Sequence, residues 1–332
     1  MSKERKVGMA AVQAAARLCE AVQAEMIQGK GAGKLDKKDR SPVTVADFGA
    51  QAVVCRIVGD AFPNDSIVGE EDSRALREGA NARHLAAVTR FVGAVGANPS
   101  GSPEAIDPQT VCGWIDRGSG EAKGRYWVLD PIDGTKGFLR KAQYAIALAL
   151  IEDGQVEWGF LGCPALSYEG GKGLLFVAQR GGGTEVFTLD GTPLGSVRVS
   201  EARDPAKARM AESVEAAHTN RGLAYELKNS LGMTGESVKM DSQAKYAAVA
   251  SGQAEIYLRS PNSRTPNYRE KIWDHAAGWL VVQEAGGTVS DIYGRPLDWS
   301  HGRQLQANVG IVATNGHIHE AVIAAIGRLL ES

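Results

Sequence analysis

Two aspartates stand three residues apart at the end of an apolar run, in the segment WVLDPIDGT at residues 127–135. Pro131 keeps Asp130 extended, because the residue before a proline avoids the α region. The carboxylates of Asp130 and Asp133 can then converge on one point, with the carbonyl of Ile132 beside them. Hard oxygen ligands of this kind suit Mg²⁺ or a similar ion better than zinc.

The turn that follows these acids supplies hydrogen-bond donors. Gly134 lets the chain turn sharply, because glycine tolerates backbone angles closed to other residues. The backbone N–H groups after the turn and the hydroxyl of Thr135 can bind an anion. The segment therefore places possible ligands for a cation directly beside possible ligands for a phosphate. A solvated surface turn is the alternative, but the apolar strand that leads into it argues against that interpretation.

Further carboxylates stand at the edges of apolar segments. Asp47 follows SPVTVA, Glu70 follows IVG, and Asp274 lies within KIWDHAAG. Each of the three, taken alone, is more typical of a helix cap or a solvated acid. With Asp130 and Asp133 they make five acids, which would repel one another in one site unless cations neutralised them. The pattern predicts a phosphoryl site that holds several metal ions.

Hydrophobic periodicity predicts the elements that must position these acids. Helices are expected over residues 5–28, from a cap at Thr44 to about Gly59, and near 82–93. Strands are expected at 66–69, 126–129, 144–151, 155–161, 174–179 and 184–188. Beyond residue 200 short strands alternate with helical stretches at 220–231, 242–251, 273–285 and 316–330, as in an α/β layer structure. A domain boundary is predicted near 195–205.

Composition excludes several classes of protein. The 332 residues carry a net charge of −2, which argues against an overall basic surface for nucleic acid. The longest apolar run is about eight residues, whereas a membrane span needs ~20. The cysteines are scattered without a CxxC pair, which argues against a zinc site or a disulfide framework and favours a reducing compartment. They are Cys19, Cys55, Cys112 and Cys163.

Two signatures resemble those of the inositol monophosphatase superfamily: DPIDGT at 130–135 and WDHAAG at 273–278, with EAGG at 284–287 downstream. Longer matches are similar to one branch of it, the 3′(2′),5′-bisphosphate nucleotidases. They are DRSPVTVAD at 39–47, VGEE at 68–71, the run 127–140, DSQAKY at 241–246, IYLR at 256–259 and YREKIWDH at 268–275. The resemblance runs from about residue 39 to residue 303 and is thin at 74–122 and 164–212.

The resemblance implies a layered αβαβα sandwich of the inositol monophosphatase and fructose-1,6-bisphosphatase type, of mixed α/β and α+β class. Residues 1–200 would form an α+β domain with most metal ligands. Residues 201–332 would form an α/β domain with the nucleotide contacts and the last metal ligand. The implied reaction is lithium-sensitive hydrolysis of adenosine 3′,5′-bisphosphate to AMP and phosphate, with 3′-phosphoadenosine 5′-phosphosulfate as a second substrate.

Roles in catalysis are likewise implied by the resemblance. Two to three Mg²⁺ ions are expected. Asp47 and Thr135 would orient and deprotonate the attacking water. The first metal would be held by Glu70, Asp130 and the Ile132 carbonyl, the second by Asp130, Asp133 and Asp274, and a third, weaker one near Glu70.

Substrate contacts are implied at Gly134, Thr135, His218, Ser242, Lys245, Arg259 and Asp274. Lys245 and Arg259 would bind the 5′-phosphate. Read from the residues alone, alternatives stay open. Asp241 and Ser242 could cap a helix with Lys245 solvated on its face, and Arg259 could form a surface ion pair. The sequence around His218 departs from the glycine-bearing pattern expected there. The run 268–271 could shape the substrate pocket or only lead into the following helix. The polar loop 261–267 is longer than a typical connection, which leaves the fine substrate selectivity open.

Rival functions are an inositol polyphosphate 1-phosphatase or inositol monophosphatase, and a sensor that keeps the fold without catalysis. The presence of all five acids and Thr135 argues against the sensor, and the two cations expected for a second phosphate favour the nucleotidase. The expected partner is a small-molecule nucleotide. Binding to nucleic acid or to a membrane is not expected, and the protein is expected to be a monomer. A cytoplasmic location is expected, with a processed organellar form and redox regulation by Cys112 or Cys163 left open.

Overall fold

A computed structural model describes residues 1–27, 35–36, 42–95, 106–214, 221–261 and 267–331. The helices in these ranges are α1 Lys3–Ile27, α2 Val45–Ala61, α3 Ala82–Val95, α4 Pro108–Asp116, α5 Thr135–Leu139, α6 Arg221–Ser230, α7 Ala244–Ala250, α8 Ala276–Glu284 and α9 His319–Glu331. None of these described helices has both the length and the apolar character needed to cross a bilayer.

The strands form two larger sheets and one small hairpin. They are β1 Leu35–Asp36, β2 Pro42–Val43, β3 Ser66–Gly69, β4 Arg125–Asp133, β5 Ala145–Glu152, β6 Gln155–Tyr168, β7 Gly171–Gln179, β8 Gly183–Thr188, β9 Pro193–Ser196, β10 Met210–Glu212, β11 Val238–Lys239, β12 Ile256–Arg259, β13 Thr288–Ser290 and β14 Ile311–Thr314. The seven-stranded sheet runs β3-β4-β5-β6-β7-β8-β9, and the five-stranded sheet runs β11-β10-β12-β14-β13.

The seven-stranded sheet is antiparallel except for the pair β3–β4, which is parallel. In the five-stranded sheet β10 lies parallel to both β11 and β12, whereas β14 lies antiparallel to β12 and β13. Helices α1 and α2 cover one face of the larger sheet, α7 and α8 lie between the two sheets, and α6 and α9 cover the far face of the smaller one. The molecule is therefore an αβαβα sandwich, as expected.

Strand β5 shows why both faces of the larger sheet are buried. Its sequence AIALALIE alternates large and small apolar residues, and successive side chains of a strand point to opposite faces. Ile146, Leu148 and Leu150 pack on the α1–α2 side. The alanines, such as Ala147, face α7 and α8. Small residues on that face allow close approach: a Cβ at Gly159 in β6 would lie 2.8 Å from the Ala277 carbonyl oxygen.

Most predicted elements are confirmed. The expected helices at 5–28 and 316–330 correspond to α1 and α9, and Thr44 does cap α2. Several boundaries differ: α8 begins only at Ala276, after a 3₁₀ turn at Ile272–Asp274, and β6 extends seven residues beyond the predicted end at residue 161 to Tyr168. Helices α4 and α5 and strands β1, β2 and β9 were not predicted from the sequence, and the short strands expected beyond residue 200 were predicted without bounds. Residues 97–104, a polar stretch with glycine, proline and serine in the sequence, lie outside the described residues.

Candidate active site

Strand β4 delivers both Asp130 and Asp133 to one point because its pairing with β5 is irregular. Asp130 pairs with Ala147 and Asp133 with Ala145, so three steps along β4 correspond to two along β5. In a regular strand, residues three apart face opposite sides of the sheet. The inserted residue is a β-bulge that reverses the alternation once. Asp130 then accepts a hydrogen bond from the Ile132 N–H at 3.1 Å.

Glu70 reaches the same point from the neighbouring strand. Strand β3 ends at Gly69, which pairs with Leu129 in the parallel register, and the Glu70 N–H donates to the Leu129 carbonyl at 3.2 Å. Because parallel strands end at the same edge of a sheet, Glu70 emerges next to Asp130. Asp274 approaches from the middle helical layer, in the 3₁₀ turn that precedes α8. The structure thus brings Glu70, Asp130 and Asp274, three of the acids singled out in the sequence, to the same edge of the sheet.

The electrostatics of Asp130 show how crowded the negative charge is. Burial raises the pKa of Asp130 well above its usual value, and the charges of Glu70, Asp133, Asp274 and Asp47 raise it further. Burial also raises the pKa of Asp274, although the Arg259 guanidinium opposes the shift. Negative charge is thus in excess in this cluster. Because its ligand atoms are oxygens, the cluster is suited to binding divalent cations, which would neutralise that charge.

Asp47 contacts different partners with its two carboxylate oxygens. Oδ2 accepts hydrogen bonds from the N–H of Thr44 at 2.8 Å and from its hydroxyl at 2.6 Å, which completes a capping box at the start of α2. Oδ1 accepts from the Thr135 hydroxyl at 3.2 Å, and that hydroxyl lies 3.4 Å from the Ile132 carbonyl oxygen. The cap therefore fixes the side chain and leaves Oδ1 directed at Thr135.

A second turn packs against the Asp133–Gly134 corner. The Gln243 N–H donates to Asp133 Oδ2 at 2.6 Å. A Cβ at Gly134, whose φ is +87°, would lie 3.0 Å from the Cβ of Ser242, so a larger residue would disturb this contact. Ser242 itself has a φ of +70°, which is uncommon for a residue with a side chain. Its hydroxyl accepts from the Ala244 N–H at 3.2 Å.

The predicted phosphate-binding cations are both largely buried. Lys245 is 5% exposed and its ammonium lies 5.1 Å from the centre of the Tyr257 ring. Burial lowers the pKa of Lys245 to about 8, although the charge of Asp133 opposes the shift. Arg259 pairs with Glu270 at 2.8 Å and with Asp274 at 3.5 Å. The alternative of a solvated lysine is therefore wrong. Arg259 does form ion pairs, as its alternative held, but in a largely buried place rather than on the surface.

Glu270, Asp274 and His275 place ligand atoms within 4.8 Å of one another, which resembles a further metal site. Their hydrogen bonds indicate another role. His275 Nε2 contacts Glu270 at 3.1 Å and Nδ1 contacts the Tyr246 hydroxyl at 2.8 Å, so both ring nitrogens are engaged. Arg259 pairs with both carboxylates and lowers the pKa of Glu270 to about 2 against the effect of burial. We interpret this cluster as an ion-pair network that fixes Arg259.

Several residues of the site were not predicted as functional. Arg140 donates to Asp241 at 2.6 Å, and Asp241 in turn accepts from the Val214 N–H at 3.0 Å, which anchors the turn at Ser242. Glu270 was singled out only as part of the run 268–271. His218 lies outside the described residues, as does the core of the loop at 262–266.

Comparisons with known proteins agree with this architecture. The sequence profile of the inositol monophosphatase family matches residues 3–331. A 3′(2′),5′-bisphosphate nucleotidase of Schizosaccharomyces pombe is 45% identical, with 97% of this chain and 94% of that protein covered. One from Oryza sativa is 43% identical over 95% of this chain and 91% of that protein.

Solved structures show the same fold at lower identity. The extragenic suppressor protein suhB from Bartonella henselae is 21% identical with a TM-score of 0.66, and 98% of each chain is covered. An IMPase from Thermotoga maritima is 19% identical with a TM-score of 0.66 over 99% of each chain. With a family profile matched over nearly its whole length and relatives above 40% identity, the chain belongs to the inositol monophosphatase family.

Proposed function

We propose that this protein is a metal-dependent 3′(2′),5′-bisphosphate nucleotidase that hydrolyses the 3′-phosphate of adenosine 3′,5′-bisphosphate to give AMP and phosphate. The sulfated nucleotide 3′-phosphoadenosine 5′-phosphosulfate would be a second substrate. The observation that carries the proposal is the gathering of Glu70, Asp133 and Asp274 around buried Asp130, with the Asp47–Thr135 pair beside them. The names of the similar curated proteins support the choice of substrate.

Enzymes of this family are metal-dependent phosphatases. We propose that this chain uses two to three Mg²⁺ ions held by Glu70, Asp130, Asp133, Asp274 and the Ile132 carbonyl. Oxygen donors with excess negative charge suit such an ion. When bound, these ions would neutralise charge on the phosphate and make water a better nucleophile. Lithium would inhibit, because a monovalent ion supplies too little charge.

Asp47 and Thr135 would handle the proton of the attacking water. Asp47 is held by the capping box, so its Oδ1 keeps one position opposite the threonine hydroxyl. That hydroxyl can pass a proton to Oδ1 while its own oxygen accepts one from water. A positioned general base of this kind contributes roughly 10²- to 10⁴-fold to the rate.

Nucleotide selectivity would come from groups on the opposite side of the site. We propose that Lys245 and Arg259 bind the 5′-phosphate, with Ser242 and the backbone at Gly134 as further contacts. Burial already removes much of the water around both cations. Their electrostatic attraction for a bound phosphate would therefore be stronger than in open solvent. Glu270 would hold the Arg259 guanidinium in place. His218, outside the described residues, remains a predicted contact.

We also propose two domains, residues 1–200 and 201–332, with the site between them. The larger sheet comprises strands from Ser66 to Ser196, and the smaller comprises strands from Met210 to Thr314. The four cysteines are unpaired and buried, which fits the proposed reducing cytoplasm. A monomer is proposed as well, and light scattering of the purified protein would test it.

The decisive experiment is a phosphate-release assay with adenosine 3′,5′-bisphosphate, with and without Mg²⁺ and lithium. We expect turnover that requires Mg²⁺ and falls on addition of lithium. Inositol 1-phosphate and inositol 1,4-bisphosphate, assayed in parallel, should be hydrolysed much more slowly. Faster release from either inositol compound would refute the proposed substrate while leaving the metal-dependent chemistry in place.

A further inference from the structure

The segment that presents Glu70 is held from two sides. On one side the side-chain amide of Gln51 in α2 binds the backbone of Glu71, the residue after Glu70. Its Oε1 accepts from the Glu71 N–H at 3.0 Å, and its Nε2 donates to the Glu71 carbonyl at 2.5 Å. On the other side Arg303 Nη2 donates to the Gly69 carbonyl at 2.6 Å. Glu70 itself therefore lies between two anchored peptide groups.

Arg303 also lies against the turn that presents Asp274. Its guanidinium is 5.0 Å from the centre of the Trp273 ring, and Trp273 immediately precedes Asp274. The Arg303 carbonyl accepts from the Ile272 N–H at 3.3 Å, and the next residue, Gln304, forms an antiparallel bridge with Lys271. The backbone and the side chain of Arg303 thus both contact the turn at Ile272–Asp274.

The chemistry of these contacts suits a guanidinium better than an ammonium. A planar fork can stack on an aromatic ring while its edge donates to carbonyl oxygens. Arg303 does both: besides Gly69, it reaches the Gly120 carbonyl at 3.5 Å. Its described contacts are with peptide groups and a ring, so its contribution is to hold backbone segments at a set spacing.

We propose that Arg303 is a positioning residue that sets the spacing of Glu70 and Asp274, and hence the affinity of the site for divalent metal. The inference rests on the proposed function, since it assumes that these two acids bind metal. Glu70 follows a strand of the larger sheet, whereas Asp274 precedes a helix of the middle layer. Arg303 is a direct side-chain link between their two segments.

The test uses R303M, which keeps an apolar side chain against Trp273 but removes every donor, and R303K, which keeps the charge. The matched control is R295M, because Arg295 is exposed and its guanidinium likewise lies 5.3 Å from an aromatic ring, that of Tyr293. Two quantities are measured: the Mg²⁺ concentration at half-maximal phosphate release, and the rise in Tm that Mg²⁺ produces without substrate.

We expect R303M to raise the half-maximal Mg²⁺ concentration by about 10- to 100-fold, the range typical of residues that orient metal ligands. The Tm rise should need correspondingly more Mg²⁺, while KM for the nucleotide at saturating Mg²⁺ stays near that of the wild type. R303K should be intermediate, and R295M unchanged.

A lower Tm for R303M with unchanged Mg²⁺ dependence would show a merely structural role and overturn the inference. If R303M does not fold, unchanged Mg²⁺ dependence in R303K has the same consequence. A different result concerns the proposed function: wild-type protein that shows neither Mg²⁺-dependent turnover nor a Tm rise would refute that proposal, whatever the variants do.

Discussion

At the level of single residues, the proposed mechanism gives Asp47 a structural and a chemical task in one carboxylate. Its Oδ2 completes the N-terminal cap of α2, and its Oδ1 faces the Thr135 hydroxyl. The two tasks differ in what they need: a cap needs only an acceptor, whereas proton transfer needs a basic oxygen. A substitution that keeps an acceptor but removes the base can therefore separate them.

We predict that D47N lowers kcat by about 10²- to 10⁴-fold, because the asparagine side chain cannot take a proton from water. The free energy of unfolding should fall by no more than about 1 kcal/mol, since the asparagine carbonyl oxygen can still accept from the Thr44 N–H in the capping box. Steady-state kinetics and urea unfolding give the two numbers. D107N, at the exposed cap of α4 where Asp107 accepts from the Thr110 N–H at 3.1 Å, is the control and should keep full turnover. Wild-type turnover in D47N would remove Asp47 from the mechanism.

At the level of elements, the close packing of α7 against α8 decides where the Asp274 turn lies. Gly278 in α8 leaves room for the Tyr246 ring of α7, and a Cβ there would lie 2.3 Å from that ring's Cδ2. Tyr246 in turn holds His275, the residue after Asp274. This contact joins the helix pair to the site.

We predict that G278A destabilises the protein by about 1–3 kcal/mol through overpacking, even though alanine is the better helix former. The matched control is G327A in α9, where a new Cβ would meet nothing within 4 Å. There we expect a gain of about 0.5–1 kcal/mol. Urea unfolding of both variants decides: equal effects at the two positions would contradict the packing argument.

Glu212 at the end of β10 ties two neighbouring elements to the smaller sheet. Its carboxylate pairs with Lys228 of α6 at 2.8 Å and with Lys239 of β11 at 2.6 Å. Burial alone would raise the pKa of Glu212, but hydrogen bonds from these lysines lower it to about 2. Because the folded pKa lies below the unfolded value of about 4.5, the pair stabilises the protein above pH 4.5 and loses that effect as the pH falls towards 2.

We predict that E212Q lowers the free energy of unfolding by about 1 kcal/mol at pH 7, a figure reduced for solvent screening. The difference from wild type should shrink between pH 4.5 and pH 3. Urea unfolding at pH 7, 5 and 3 measures it, with E226Q on the exposed face of α6 as the control. A difference that stays constant over this range would exclude the ion pairs as its cause.

At the level of the whole molecule, the two sheets share one core. Apolar side chains of α7 and α8 belong to a single buried cluster with residues of both sheets, such as Ala147 in β5 and Ala313 in β14. Helix α8 belongs to the proposed second domain, yet it covers a face of the first sheet. Neither half of the chain would bury its own apolar surface alone.

We predict one cooperative transition in differential scanning calorimetry, because the two halves cannot expose their shared face separately. Metal removal by EDTA should lower its midpoint without splitting it, and Mg²⁺ at about 100 times its Kd should restore about 2.7 kcal/mol per site. Mg²⁺-free buffer with added NaCl at equal ionic strength is the control. Two resolved transitions would show that the domains unfold independently.

Local patterns in the sequence determined most of the elements and predicted which residues would carry the chemistry. An acid next to proline and glycine, a threonine cap and an alternating apolar strand each act over a few residues, so they predict β4, α2 and β5 without knowledge of the fold. The convergence of five acids followed from their shared placement at the edges of such elements.

Only the tertiary structure decided the rest. The bulge that turns Asp130 and Asp133 to one side depends on the register with β5, and the burial of Lys245 depends on helices packed between two sheets. The partners of Arg259 and Arg303 come from segments far apart in the chain. Register, burial and long-range pairing arise from contacts between elements, and no window of local sequence contains both sides of such a contact.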